Sequence, residues 1–195
     1  MSIKGENARN RIIEVSKKLF TLKGYSATTM QDICREASLS RGGLYRYFSS
    51  TEEIFSEIIT LEQDKAYADL EMAKEQKISP QNIMSVFLRV RLNNLTDSDL
   101  AFDNAVSEFA ANSRCGKALL VKRANDSVNI LSEIISEGVK SGDFNCDNPI
   151  NAAKHILWTL EGMAKHNALI PLTKEEISSQ CAVFKNLIGA KKDLI

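Results

Sequence analysis

No run of apolar residues in the 195-residue chain approaches the ~20 needed to cross a bilayer. Residues 1–11 are polar and charged, and the apolar positions that follow are interrupted by Glu14, Lys17 and Lys18. Neither a membrane span nor a secretory leader is therefore expected, and the protein is expected to be cytoplasmic. Proline occurs three times and glycine nine, a scarcity that suits long helices better than many short strands. The four cysteines, Cys34, Cys115, Cys146 and Cys181, lie 81, 31 and 35 residues apart with no CxxC pair. A zinc knuckle or thioredoxin-like site is thus not expected, and reduced, mostly buried thiols are the simplest reading. No residue pattern favours redox sensing by any of them. The two histidines, His155 and His166, would stand ~16 Å apart along one helix and cannot share an ion. A Gly-rich phosphate loop, GxSxG and HExxH are all missing, so neither an enzyme nor a bound metal or cofactor is expected.

Charge is balanced in total but not in place. Residues 1–48 hold nine Lys/Arg against four Asp/Glu, a net of +5, and the remainder carries −5. A basic head on an acidic body is the asymmetry expected when one end meets phosphate. With 44% hydrophobic residues the chain can bury a substantial core.

Helical periodicity dominates. A first helix is predicted from about Glu6 to Lys23, with Ile12, Val15, Leu19 and Phe20 on one face and Gly24 as its stop. Thr28 with Gln31 forms a capping-box pattern for a short second helix through Ile33 and Ala37. After the turn Ser38-Leu39-Ser40, a third helix is predicted to Tyr47. Ser50 to Glu53 opens a long fourth helix, and Ser79-Pro80 opens a fifth. Segments around Phe102–Phe109, Leu120–Ile135, Ile156–Met163 and Ile177–Ile188 complete about nine helices with no convincing strand. The expected class is all-α, with residues 1–50 as a helix-turn-helix head and 51–195 as a helical body.

Two short helices joined by a three-residue turn make a helix-turn-helix, whose second helix enters the major groove. The stretch from Ser40 to Phe48 suits that task. Ser40 can cap the helix and leave the Gly42 and Gly43 amides for a phosphate. Arg41 and Arg46 supply long donors, Tyr45 and Tyr47 supply hydroxyls, and Leu44 and Phe48 point into a small core. Taken alone, the Gly42-Gly43 pair reads more simply as a loop and the aromatic pair as core; the spacing of the residues around them changes that.

The ordered series Arg11-Ile12-Ile13, Leu19-Phe20, Gly24-Tyr25, Thr28-Thr29-Met30, Asp32-Ile33, Ala37, Ser40, Gly43-Leu44-Tyr45, Tyr47-Phe48 and Glu52-Glu53-Ile54 resembles the TetR family of bacterial regulators. The match spans about residues 8–56 without insertion, and Gly142-Asp143-Phe144 with Asp147-Asn148-Pro149 adds a weaker echo. The resemblance implies a DNA-binding head, a long connecting helix and a body that dimerises and binds a small-molecule effector. It implies repression of a palindromic operator bound by a homodimer, with activation as the alternative; a helical interaction module without DNA binding is the other reading. By similarity, Thr28, Tyr45 and Tyr47 hold phosphates, while Gln31, Ser40, Arg41, Gly42 and Arg46 lie at or near base edges. The chain departs from the family at Ser38, where glycine is usual, and at Thr51, where a phosphate-binding lysine is common; the Thr51 and Glu52 amides stand there instead.

The body says less. Ile156, Leu160 and Met163, then Ile177, Cys181, Phe184 and Ile188, form apolar seams that pair either across a dimer axis or within one protomer. Phe87, Phe102, Phe109, Trp158 and Met163 are candidate liners of an effector pocket or ordinary core. Glu108 and Glu161, each among apolar neighbours, are candidates to face such a pocket, or to lie at the surface or in an internal ion pair.

Overall fold

The structure, a computed structural model, describes residues 3–93 and 99–195. Among the described residues the chain is all-α: nine helices and no strand, as the periodicity predicts. They are α1 (Ile3–Lys23), α2 (Met30–Ala37), α3 (Arg41–Tyr45), α4 (Thr51–Glu75), α5 (Pro80–Asn93), α6 (Asp99–Asn112), α7 (Gly116–Ser141), α8 (Pro149–Asn167) and α9 (Lys174–Ile188). None of them is long and apolar enough to cross a membrane.

Local chemistry accounts for the helix ends. Gly24, at φ +81°, takes the left-handed turn that stops α1. The box that opens α2 is Thr29–Asp32, one residue later than predicted. Thr29 Oγ1 accepts from the Asp32 amide at 3.1 Å, and Asp32 Oδ2 accepts from the Thr29 amide at 3.1 Å. α2 ends at Ser38, which adopts φ 57° without the help of a glycine. α3 is shorter than predicted: the Tyr47 amide bonds to the Leu44 carbonyl, a tighter i→i+3 closure that ends the helix. Thr173 and Glu176 close the predicted box at the start of α9.

The chain packs as two compact units. The first comprises Met1–Lys65 and Ala101–Arg123, the second Ala66–Leu100 and Ala124–Ile195. This division by packing is not the same as the boundary at residue 50 expected between a DNA-binding head and a helical body. The apolar stripe of α4, Ile54, Phe55, Ile58 and Ile59, is buried in the first unit with Phe102, Ala105, Val106 and Phe109 of α6. The same core takes Ile12, Leu19 and Phe20 from α1, Ile33 from α2, and Leu44 and Phe48 around α3. A fully buried Phe or Leu contributes ~1.5–3 kcal/mol over an exposed one, so the head is held chiefly by this shared core.

In the second unit Met84, Leu88, Leu131, Ile135, Ile156, Leu160, Phe184 and Ile188 enclose the centre. Phe144 lies against the bare backbone of Gly138, where an added Cβ would fall 2.0 Å from the ring. The loop after α7 is tied to the end of α9 by Asn145 N–H to the Ile188 carbonyl at 3.0 Å and Lys191 N–H to the Asp143 carbonyl at 3.2 Å.

Candidate nucleic-acid interface

α3 is built to present one face. Ser40 Oγ accepts from the Gly43 amide at 3.1 Å and fixes the first turn. Leu44 and Phe48 are buried behind it, which leaves Arg41, Gly42, Tyr45 and Arg46 exposed in front. The Arg41 guanidinium lies 5.5 Å from the Tyr45 ring centroid. That of Arg46 lies 5.2 Å from the Tyr47 ring and donates to Tyr47 Oη at 3.3 Å. Each long cation thus rests on a ring, which reduces the entropy lost when it meets a fixed partner. An added Cβ on Gly42 would meet nothing within 4 Å, so the glycine leaves bare backbone open to an approaching surface.

Of the ten residues expected to meet DNA, Gln31, Ser40, Arg41, Gly42, Tyr45 and Arg46 are exposed, and Gly43, Tyr47 and Thr51 are half-buried. Thr28 is only 4% exposed. Its hydroxyl donates to the Gly24 carbonyl at 2.8 Å and sits 3.4 Å from that of Leu19, so it holds the α1–α2 turn closed instead of facing a phosphate. The exposed hydroxyl at this end of α2 is that of Thr29. One further expectation changes. The Gly43 amide is taken by Ser40 and is not offered to a phosphate. The Thr51 side chain is turned to the Tyr25 phenol, which leaves the expectation for the Thr51 amide as it stands.

Acidic side chains pin the turns around this face. Asp32 pairs with Lys23 at 3.0 Å and Arg35 at 2.7 Å. The Thr29 hydroxyl, then Lys23, hold its carboxyl well below the usual carboxylate range. Glu53 Oε2 accepts from the Ser49 amide at 2.6 Å and the Ser49 hydroxyl at 2.7 Å, and these bonds keep its carboxyl low. Glu52 accepts from the Ser113 hydroxyl and from Cys115 Sγ, the first being the larger cause of its lowered pKa. The sequence could have shown the α2 pin, since Thr29 and Asp32 have the same spacing as Thr28 and Gln31. The bonds to residues 113 and 115 left no local signal.

The seven candidate pocket residues are divided between the two units. Phe102 and Phe109 belong to the core of the first unit, against Phe55 at 5.6 and 4.7 Å between centroids. Glu108 is half-buried in the same unit and accepts from the Ser26 amide. Phe87 and Met163 belong to the second unit. Trp158 is 65% exposed and Glu161 is also exposed, because α8 buries the opposite face. The seams expected at a dimer axis are likewise corrected. Ile156, Leu160, Cys181, Phe184 and Ile188 are buried within one chain, with Ile177 packed against them, since α8 and α9 close on each other. A groove of about 380 Å³ in the second unit is lined by Gly162, Met163, His166, Leu172, Glu176 and Gln180, among others. Among the described residues no three His, Cys, Asp or Glu are grouped to hold a metal.

Comparison with known proteins agrees with this head. The family described as "Bacterial regulatory proteins, tetR family" matches residues 12–58. The uncharacterized HTH-type transcriptional regulator YfiR of Bacillus subtilis is 30% identical over 172 residues, 86% of this chain and 83% of the relative. The HTH-type transcriptional regulator QacR of Staphylococcus aureus is 29% identical over 153 residues, 77% of this chain and 80% of that one. These relatives are named as regulators rather than enzymes. Among solved structures, reduced NemR of Escherichia coli shares the fold with a TM-score of 0.78 over 94% of this chain and 98% of its own, at 16% identity. A helix-turn-helix with this exposed face, in a chain similar to such relatives over most of its length, leads to one assignment: the chain belongs to the tetR family of bacterial regulatory proteins and is a DNA-binding transcriptional regulator.

Proposed function

We propose that this regulator represses transcription from a palindromic operator, which it binds as a homodimer and leaves when a small molecule occupies its helical body. Residues 1–50 carry the DNA contacts and the remainder carries dimerisation and effector binding. The reading rests above all on α3, where Arg41, Gly42, Tyr45 and Arg46 stand exposed on a helix backed by buried Leu44 and Phe48. That arrangement fits a major groove ~12 Å wide, and the net +5 of residues 1–48 supplies the attraction to phosphate.

Members of this family bind operator DNA as dimers and respond to small-molecule effectors. Two heads reading a palindrome must lie ~34–36 Å apart, so a second copy is part of the mechanism. Its place in this reading is the outer face of α8 and α9. Trp158, Val183 and Leu187 are exposed there, and Gly162 lies one turn beyond Trp158 with nothing within 4 Å of an added Cβ. A large exposed tryptophan beside bare backbone suits the core of an interface. Sedimentation equilibrium of Trp158→Ser should show a shift toward monomer; an unchanged dimer would place the axis elsewhere.

The function itself is tested by selecting duplexes from a randomised pool with the full chain. Enrichment of a palindrome is expected, with affinity that falls steeply as salt rises. Arg46→Ala should change the preferred sequence, and Tyr47→Phe should weaken all duplexes alike. Because Tyr47 Oη accepts from Arg46, the two effects should be coupled rather than additive. No enrichment and a flat salt response would overturn the proposal.

A further inference from the structure

We infer that Glu108, seconded by Asn112, is a positioning residue for operator binding: it sets α2 by holding the turn between α1 and α2, without itself facing DNA. The inference rests on the DNA-binding reading of α2 and α3.

The turn is short of side-chain bulk and rich in backbone. Gly24 has φ +81°, and a Cβ there would lie 2.7 Å from Glu108 Oε1, so the carboxylate sits directly on the glycine backbone. Glu108 Oε2 accepts from the Ser26 amide at 2.8 Å, a charge-assisted bond roughly twice as strong as a neutral one. One helical turn further along α6, Asn112 Nδ2 donates to Ser26 Oγ at 3.3 Å and to the Glu108 carbonyl at 2.9 Å. The neighbouring Phe109 ring meets the Tyr25 ring edge-on at 5.1 Å. Consecutive residues of α6 therefore grip consecutive residues of the turn.

What the grip controls lies just beyond it. Thr28 Oγ1 donates back to the Gly24 carbonyl at 2.8 Å, which closes Gly24–Thr28 into one unit. Thr29 follows immediately as the cap of α2. The direction in which α2 leaves the turn, and with it the place of α3, is thus set by a carboxylate 82 residues away in sequence. Glu52, in the first turn of α4, accepts from Ser113 and Cys115 beyond the end of α6. The same stretch of chain thereby holds the head on both sides of the helix-turn-helix. Any displacement of α6 reaches the DNA-facing helices through these few bonds.

The test uses the full chain, a duplex enriched by the wild type, and a random-sequence duplex of equal length. Glu108→Ala should bind the enriched duplex about tenfold more weakly while its affinity for the random duplex is unchanged, because phosphate attraction needs no register. Glu108→Gln, which keeps an acceptor, should recover most of the loss, and Asn112→Ala should show a smaller loss of the same kind. The Ser26 amide should be protected from hydrogen exchange in the wild type and fast in Glu108→Ala. Unchanged affinity for the enriched duplex, or equal losses on both duplexes, would overturn the inference. Should Glu108→Ala not fold, the Asn112→Ala affinities and the wild-type Ser26 protection decide it; an unprotected Ser26 amide overturns it. A wild type that enriches no duplex would instead overturn the operator reading.

Discussion

The two compact units are built from different side chains. In the first, Phe20, Tyr25, Phe55, Phe102 and Phe109 touch one another in edge-on, stacked and tilted pairs, with centroids 4.7–5.9 Å apart. In the second, the buried residues are mostly Leu, Ile, Met and Ala, with Phe144 and Phe184 as the buried rings. Ring pairs have preferred orientations and few rotamers, so they hold what they support in register. Aliphatic cores repack with smaller loss when their shape changes. A head proposed to present Arg41 and Arg46 to a fixed helical partner profits from the first kind of core. A body proposed to accommodate an effector profits from the second.

The comparison is most directly broken at Phe55, which touches four other rings. Phe55→Ala is expected to cost ~3–5 kcal/mol in urea unfolding and to abolish DNA binding. Phe184→Ala, where no ring pairs with the phenylalanine among the described residues, should cost about 1 kcal/mol less. Equal costs would erase the distinction. Next in size is Gly138→Ala in the body. Its Cβ would meet Phe144 at 2.0 Å, and displacement of that ring should cost ~1–3 kcal/mol. Hydrogen exchange should then quicken in the second unit while the first stays protected; uniform quickening would mean the two share one cooperative transition.

Ser38→Gly acts in the opposite direction. The left-handed serine at φ 57° is strained, and glycine there should raise the unfolding free energy by ~1 kcal/mol. No gain would mean that the turn relaxes the strain in another way. The smallest effect is the acid response. Asp32, Glu52 and Glu53 all titrate below their ordinary values in the folded head. Their ionised forms favour the fold, so this stability is complete above the usual carboxylate range and is lost progressively as pH falls from that range through the lowered values of the folded state. Glu53→Gln together with Asp32→Asn should flatten the decline of the melting temperature below pH 5. An unaltered slope would assign acid sensitivity to the body, where Glu176 is held low by the Thr173 amide and hydroxyl.

The helices were legible in the sequence because their signals are local. Thr173–Glu176, Asn148-Pro149 and Gly24 act through partners three or four residues away, and each ends or opens a helix as predicted. The exposed face of α3 was legible for the same reason, since Leu44 and Phe48 fix which way that short segment turns. At Thr28 and Thr29 local pattern failed. Both threonines have a capping partner at the right spacing, and only the closure of the turn onto Gly24 buries one and exposes the other. The body misled more. α8 carries Ile156 and Leu160 beside Trp158, and an apolar stripe by itself does not say whether its partner is the same chain or another. For Glu108 the apolar sequence neighbours leave a pocket, the surface and an internal ion pair all open, and its actual partner is a backbone amide of a distant turn.

The sequence by itself determined the all-helical class, the stop of α1 and the starts of α8 and α9, the basic head and the residues α3 presents, because these follow from periodicity and from bonds within one turn of chain. Tertiary structure alone decided that Ile156 and Phe184 face inward while Trp158 faces out, that the head's core extends into α4 and α6, and that Glu108 grips Ser26. The reason is range. A cap depends on a separation of three residues, whereas a contact across 82 residues depends on every packing choice between them.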